Sequence, residues 1–220
     1  MQTRNLTIAA ILAAQQVYAG SVTRACLKPE VQQNFDVNRY LGLWYEARRD
    51  ADCRFEATNG ICNTAQYSLR DDGDIRVVND EWEDDTSEWG GGVGKAFQVN
   101  PDDNDGYLKV KFGPFIPAGD YKVVETDYDS YTVIYTCTGL GGFYNIEYIW
   151  ILTRDAQPSQ EVLDKAMSAA AAKVPEYDLG QLYATPQGTG ALSSGEDCPT
   201  RDLLSPFSPA HGTCRVCLRP

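Results

Sequence analysis

The residues best suited to covalent or metal chemistry are the cysteines and a single histidine. Cys214 and Cys217 have the spacing of half a zinc site, but no second pair shares it, and His211 lies in a segment rich in Pro, Ser and Gly. A disulfide within this tail, or a bond to another chain, is the better interpretation. In a secreted chain the cysteines are expected to form disulfides, and because their total of seven is odd, at least one is free or intermolecular.

The same inventory argues against several functional classes. His211 is the only histidine, so a Ser–His or Cys–His nucleophile and a histidine-bound haem have no partner unless the tail folds back. Cysteine catalysis would need a free thiol in a cavity, for which Cys53 is the remaining candidate. The net charge of −12 repels phosphate backbones and anionic membranes. The sequence therefore predicts no nucleic-acid partner, no metal site and no cofactor.

The first residues predict where the protein acts. Arg4 precedes an apolar run at 6–14, and the tripeptide VYA at 17–19 has the small-x-small pattern of a signal-peptide cleavage site. The run is far shorter than the roughly 20 apolar residues needed to span a bilayer. We expect a secreted protein without a membrane-spanning segment after cleavage. Its predicted parts are a signal peptide at 1–19, one domain at 20–200 and an irregular tail at 201–220.

Short β-rich runs separated by turn signals fill the centre of the chain. Asp72-Gly73 and Asp105-Gly106 between such runs are strong hairpin cues. Closely spaced strands without intervening helices favour an antiparallel sandwich or barrel over an α/β fold. The eight predicted strands cover 40–48, 64–70, 75–81, 94–99, 106–112, 119–125, 131–138 and 144–153.

One helix is predicted after the strands. Ser159 is a suitable N-cap, and Pro175 ends the run. Its alanine-rich apolar stripe suits close packing against a sheet. The residues of the stripe are Leu163, Ala166, Met167, Ala170 and Val174.

Alternation along the strands separates two faces of the predicted sheet. In YLKVKF, Lys109 and Lys111 must face water, which turns Phe112 inward. The inward face is bulky and partly polar, which suits the lining of a cavity better than a dense aliphatic core. An aromatic sandwich core is the alternative on pattern alone. The inward set is Tyr67, Asn79, Phe112, Tyr148 and Trp150.

An acidic segment at 79–94 contains six acids and two tryptophans. We expect it to form a solvated hairpin loop between the third and fourth strands. Trp82 and Trp89 are candidates for an apolar rim near a cavity mouth that contacts a ligand or partner.

Three stretches resemble the signatures of the lipocalin family, in the family's order. GLW at 42–44 follows NFDVNRY, TDY at 126–128 leads into SYTVIYTC, and Arg154 ends WILTR. One Gly-x-Trp is a weak signal, but three ordered signatures are specific. The stretches are most similar to the branch that includes apolipoprotein D and the bilin-binding proteins, and the resemblance covers residues 26–200.

The resemblance implies an all-β fold, an eight-stranded antiparallel up-and-down barrel with one C-terminal helix packed outside. It implies a floor in which Arg154 lies across the ring of Trp44 while Gly42 lets the chain pass close beneath. It also implies disulfides Cys26–Cys137 and Cys62–Cys198. Outside that pattern, the sequence leaves open a Cys214–Cys217 bond, a bond from Cys53 to the tail, or a dimer through Cys53, Cys214 or Cys217.

The function that the resemblance implies is that of a secreted carrier. It would bind a small hydrophobic ligand such as a lipid, steroid, retinoid or tetrapyrrole non-covalently in the barrel. Alternatives are a lipocalin-type enzyme acting on a lipid or pigment, and a disulfide-linked extracellular interaction protein. The expected ligand-binding residues are Tyr67, Asn79, Phe112, Phe115, Trp150, Tyr135 and Tyr148.

Overall fold

Eight antiparallel strands close into a barrel, because the last of them pairs with the first as well as with the strand before it. The computed structural model describes residues 22–23, 25–57, 60–140 and 144–200. The predicted signal peptide and tail, with Cys214 and Cys217, lie outside these residues. The barrel strands are β2 (Gly42–Asp50), β3 (Gly60–Leu69), β4 (Ile75–Glu83), β5 (Glu88–Gln98), β6 (Tyr107–Lys111), β7 (Gly119–Thr126), β8 (Tyr131–Leu140) and β9 (Tyr144–Thr153).

Short elements complete the barrel and support its outside. Two short strands extend the sheet, β1 (Val22–Thr23) on β9 and β10 (Leu182–Ala184) on β2. A single helical turn, α1 (Val37–Tyr40), precedes β2, and helix α2 (Gln160–Lys173) follows β9. The all-β barrel with one C-terminal helix outside is therefore confirmed.

Helix α2 packs on the outside of β7 and β8. Ser159 is its N-cap, as predicted, and its side chain accepts from the backbone N–H of Val162. Ala166 and Ala170 are fully buried, because their small side chains let the helix approach the sheet. Within the described ranges, no helix combines the length and apolarity needed to cross a membrane.

Strand β5 shows where the predicted boundaries were wrong. It begins at Glu88 rather than at 94, so most of the acidic segment at 79–94 is paired strand and not a solvated loop. Glycine and acidic residues are disfavoured in strands, which is why the pattern misled. Glycine is needed within this pairing: Gly91 has φ +120°, and a Cβ there would lie 2.0 Å from the carbonyl oxygen of Asn79.

Both disulfides implied by the resemblance are present. Cys26 is bonded to Cys137, and Cys62 is bonded to Cys198. Cys53 is buried and has no disulfide partner among the described residues. A bond from Cys53 to another chain would therefore require the surrounding loop to move.

The barrel floor is built around Trp44, which is completely buried. The guanidinium of Arg154 lies 3.7 Å from the centre of the Trp44 ring. It also donates to the carbonyl oxygens of Leu43, Arg39 and Tyr128 at 2.8–2.9 Å. Gly42 has φ +100°, and a Cβ there would lie 3.2 Å from the guanidinium. A positive φ and close contact with Arg154 both favour glycine at this position.

Replacing Arg154 by methionine is expected to lower the free energy of unfolding by about 2–3 kcal/mol, because it removes three charge-assisted hydrogen bonds and the cation–π contact. Arg154→Lys should lose less, since an ammonium keeps the charge but not the planar fork. Urea denaturation measures both. Arg70→Met, at an exposed Arg70–Asp72 pair, is the control and should change little. A loss in Arg154→Met no larger than in this control would contradict the structural role of the floor.

Candidate functional site

Strands β3, β4 and β5 form a hollow in the inner wall of the barrel, because of the residues that their register places side by side. Tyr67 pairs with Val77, and Ala65 pairs with Asn79 two residues farther along, so these side chains share the inner face. Opposite them on β5, Gly92 faces Asn79 and Gly94 faces Val77. Because β5 contributes no side chains here, the ring of Phe112 can approach β5 closely, to 3.5 Å from the point that a Cβ at Gly92 would occupy. Asn79 is exposed although its position faces inward, so solvent reaches this hollow.

Three tyrosines join the floor to the hollow. The hydroxyl of Tyr121 lies 2.9 Å from that of Tyr40 and 2.8 Å from that of Tyr67. Burial raises the pKa of Tyr40 to about 12 and raises the pKa values of Tyr67 and Tyr121 well above 10. All three hydroxyls therefore stay protonated at neutral pH, and they form a polar but uncharged base for the hollow.

Aromatic side chains border the hollow at its open end. Phe112 packs against the hollow: its ring lies 2.7 Å from the point that a Cβ at Gly94 would occupy. Phe115, in the loop after β6, is 96% exposed. On β9, Tyr148 and Trp150 face inward, and their ring centres are 5.8 Å apart. The structure thus brings Phe112, Tyr148 and Trp150 to the barrel interior and leaves Phe115 on the rim.

Residues 51–57 of the β2–β3 loop cover part of the mouth, and we call them the lid segment. The hydroxyl of Tyr148 accepts from the backbone N–H of Arg54 at 3.4 Å. The ring of Phe55 meets the ring of Tyr148 edge to face at 5.6 Å. Glu56 accepts from the indole N–H of Trp150 at 2.7 Å. Two of the predicted ligand-binding residues therefore also hold the lid segment.

Glu56 of the lid segment lies close to two carboxylates of the barrel strands, and we call Glu46, Glu56 and Glu81 the acidic cluster. Arg49, only 1% exposed, is the cation among them. Its Nε lies 3.0 Å from Glu46 and 3.1 Å from Glu56, although neither oxygen is aligned with the N–H. Glu81 accepts instead from the backbone N–H of Ala57 at 2.9 Å. The guanidinium of Arg49 thus lies within ion-pair distance of two of the three carboxylates.

Burial shifts the protonation of the acidic cluster. Desolvation, reinforced by the charge of Glu56, raises the pKa of Glu46 well above its ordinary value. Desolvation also raises the pKa of Glu81 to about 7, although its bond from Ala57 opposes the shift. For Arg49, burial lowers the pKa, but the charges of Glu56 and Glu46 outweigh burial and the pKa is raised. The site therefore holds carboxylates that are partly protonated near neutral pH.

The folding stability should fall as pH rises, because Glu81 binds its proton more tightly in the folded chain. Its folded pKa of about 7 exceeds the ordinary 4.5, so its contribution is fully present below pH 4.5 and lost through pH 7. Between pH 5 and pH 8 the loss should be about 2–3 kcal/mol. In Glu81→Gln this decrease in the free energy of unfolding between pH 5 and pH 8 should vanish. Urea denaturation at the two pH values measures it. Glu176→Gln, exposed on the outer surface, is the matched control, and equal slopes in both variants would contradict the assignment.

Two predictions from the sequence are wrong about the side of the barrel wall on which a side chain lies. Tyr135 faces outward: its hydroxyl donates to Glu147 at 2.7 Å, and its ring packs with α2. It therefore cannot line the cavity. Trp82 and Trp89 form an edge-to-face pair at 5.4 Å, but they alternate with inward residues and so lie on the outer face of β4 and β5. Any contact that they make is with something outside the barrel.

The acidic cluster was missed by sequence reasoning. Charged residues in strands are ordinarily expected to face solvent. A register shift between Glu46 and Arg48 in the pairing of β2 with β9 breaks the alternation. It allows Glu46 and Arg49, three positions apart, both to be buried. One residue of the cluster could have been predicted. Glu81 lies two residues after Asn79 on the same strand, so alternation predicts that its side chain also faces inward.

Comparisons with known proteins agree with the barrel fold. The family model for the lipocalin-like domain matches residues 35–187. Apolipoprotein D of Macaca fascicularis is 38% identical over 143 residues, which are 63% of this chain and 71% of that protein. The outer membrane lipoprotein Blc of Vibrio cholerae is 40% identical over 156 residues, covering 70% and 84% of the two chains. Insecticyanin from the tobacco hornworm Manduca sexta superposes with a TM-score of 0.67 at 18% identity, over 77% of this chain and 90% of that one. The chain therefore belongs to the lipocalin family.

Proposed function

We propose that this protein is a secreted carrier that holds one small hydrophobic ligand non-covalently in its barrel. The observation that carries the proposal is the hollow beside Gly92, which Phe112 borders and which solvent reaches at Asn79. An eight-stranded barrel has an interior of the size that holds one small ligand. Membership in the lipocalin family supports binding as the function.

The residues of the hollow divide into apolar and polar contacts. Phe112 and Trp150 would provide apolar contact, and Tyr148 lies beside Trp150 beneath the lid segment. Tyr67 and Asn79 would orient the polar part of a ligand through a hydroxyl and an amide. Phe115, exposed on the loop after β6, would contact a ligand only near the entrance.

Filling the hollow tests the proposal. A Cβ at Gly92 would lie 3.5 Å from Phe112, an ordinary contact, so Gly92→Leu should fold and occupy the space. Titration with the uncharged fluorescent probe N-phenyl-1-naphthylamine is expected to show saturable binding that Gly92→Leu weakens at least about tenfold. Val93→Leu is the matched control, because Val93 is the next residue of the strand and is exposed outside. No saturable binding, or equal binding by both variants, would contradict the proposal.

Secretion and the absence of catalysis are part of the same proposal. Two disulfides, Cys26–Cys137 and Cys62–Cys198, suit an oxidising compartment. Burial, with the charge of Glu56, raises the pKa of the Cys53 thiol, so Cys53 is a neutral thiol rather than an activated nucleophile. This observation weighs against catalysis by Cys53.

A further inference from the structure

We propose that the ligand of this barrel carries a cationic amine beside its apolar part, and that the acidic cluster binds this amine. The inference rests on the proposed function, since it specifies the ligand of the same cavity. The cavity would therefore favour an amphipathic amine over a fatty acid, because the carboxylate of a fatty acid would be repelled by the three carboxylates of the cluster.

The first argument is the charge balance inside the barrel. Of the described inward-facing positions, Arg49 alone carries a lysine or arginine. Its guanidinium pairs with Glu46 and Glu56, while no basic group among the described residues lies within ion-pair distance of Glu81. Glu46 and Glu81 are each only 4% exposed. Buried carboxylates in excess over cations are costly unless they keep their protons or a positive group joins them.

The second argument is an unsatisfied acceptor beside the cluster. Asn63 is 5% exposed, and its Nδ2 donates to Glu56 at 2.7 Å. Because a carboxylate only accepts, this bond fixes the orientation of the amide. The Oδ1 on the same amide therefore lies next to the cluster, and within the described part of the chain no donor reaches it. An ammonium group carries up to three N–H donors and could satisfy both Asn63 and a carboxylate.

The third argument is access from the hollow. Glu81 pairs with Gly90, and Asn79 pairs with Gly92, so no side chain of β5 separates them from the interior. Oε2 of Glu81 accepts from the lid segment, whereas Oε1 lies 3.4 Å from the point that a Cβ at Gly90 would occupy. One oxygen of Glu81 thus holds the lid segment, and the other lies beside Gly90, where Oε1 of Glu83 lies 2.9 Å from the same point. An amine at the end of a ligand in the hollow could meet this second oxygen.

The competing explanation is that the acids only fasten the lid segment. That role accounts for Glu56, which accepts from Trp150 and Asn63, and for the oxygen of Glu81 that accepts from Ala57. It leaves the open acceptor of Asn63 and the second oxygen of Glu81 unexplained. The two explanations differ in what they predict for ligands of equal length and different charge.

The test uses dodecylamine, dodecanol and dodecanoate at pH 7 and below their micellar concentrations, competing with N-phenyl-1-naphthylamine. The amine is expected to bind at least about tenfold more tightly than the acid, with the alcohol between them. Glu81→Gln should reduce the preference for amine over alcohol severalfold while leaving alcohol affinity nearly unchanged. Glu176→Gln removes the same charge from the outer surface and should preserve the preference, including at 0.5 M salt, because buried pairs are screened little.

Three results would overturn the inference. Dodecanoate could bind as tightly as dodecylamine, Glu81→Gln could weaken all three ligands equally, or Glu176→Gln could change the preference as much as Glu81→Gln. In each case binding of the uncharged probe would still support the proposed function. If the probe itself does not bind, the proposed function fails and the inference fails with it.

Discussion

Replacing Arg49 by methionine is expected to lower the free energy of unfolding at pH 8 by about 3–5 kcal/mol, because the substitution leaves buried carboxylates without their cation. Arg49 is 1% exposed and faces Glu46 and Glu56 at 3.0 and 3.1 Å. Its guanidinium also donates to the carbonyl oxygen of Ala57 at 3.2 Å. Methionine fills a similar volume but replaces neither the charge nor the donors.

The loss in Arg49→Met should be smaller at pH 5 than at pH 8. The pKa of Glu81 is about 7, and that of Glu46 is raised well above its ordinary value, so both are largely protonated at pH 5 and repel less. Denaturation at the two pH values measures the difference. Adding Glu46→Gln and Glu56→Gln to Arg49→Met should restore much of the stability at pH 8, since the unpaired charges are then removed. A loss below 1 kcal/mol at pH 8, or an equal loss at both values, would contradict the charge argument.

The fold could be predicted from the sequence because the residue patterns that indicate it are local. Gly42 is required by its own φ of +100° and by the nearness of Arg154, and both belong to signatures legible in the sequence. Turn residues and alternation located the barrel strands to within a few residues except at β3 and β5. At β5 the ladder with β4 overrides the low strand propensity of glycine.

The site could be predicted only where alternation is unbroken. Tyr67, Asn79 and Trp150 were predicted to face inward and do so. Tyr135 shares the parity of Cys137, whose disulfide to Cys26 lies outside the barrel wall, so this residue was misassigned despite an available signal. The position of Arg49 depends on a register shift that no local pattern announces.

The lid segment lay beyond sequence reasoning for a different reason. Its interactions join residues far apart in the chain, such as Glu56 with Trp150, 94 positions away. Neither residue type, taken alone, predicts that partner. A buried charge network of this kind is specified by the tertiary structure, which is why the polarity of the cavity became visible only there.

Removing the Cys62–Cys198 disulfide by alanine substitution at both positions is expected to lower the free energy of unfolding by about 4 kcal/mol, since the bond closes a long loop in the unfolded chain. The two cysteines are 136 positions apart. Alanine at both positions avoids leaving an unpaired thiol. Urea denaturation without reductant measures the loss, and a loss below 1 kcal/mol would contradict it.

The same variant should loosen one region of the native barrel. Residues 186–198 contact the backbone of β3: Cys62 donates to the carbonyl oxygen of Pro186 at 2.9 Å, and Gln187 donates to that of Asn63 at 2.6 Å. These contacts and the disulfide fix the irregular stretch of β3 from which Asn63 reaches Glu56. Hydrogen exchange at 186–198 and around Asn63 should therefore accelerate more than elsewhere.

Removal of Cys26–Cys137, a bond that closes a loop of similar length on the other side of the barrel, should cost similar stability without this local effect. Equal exchange in both variants would show that the disulfide acts on the unfolded chain alone, whereas a local acceleration would connect the C-terminal segment to the acidic cluster through Asn63.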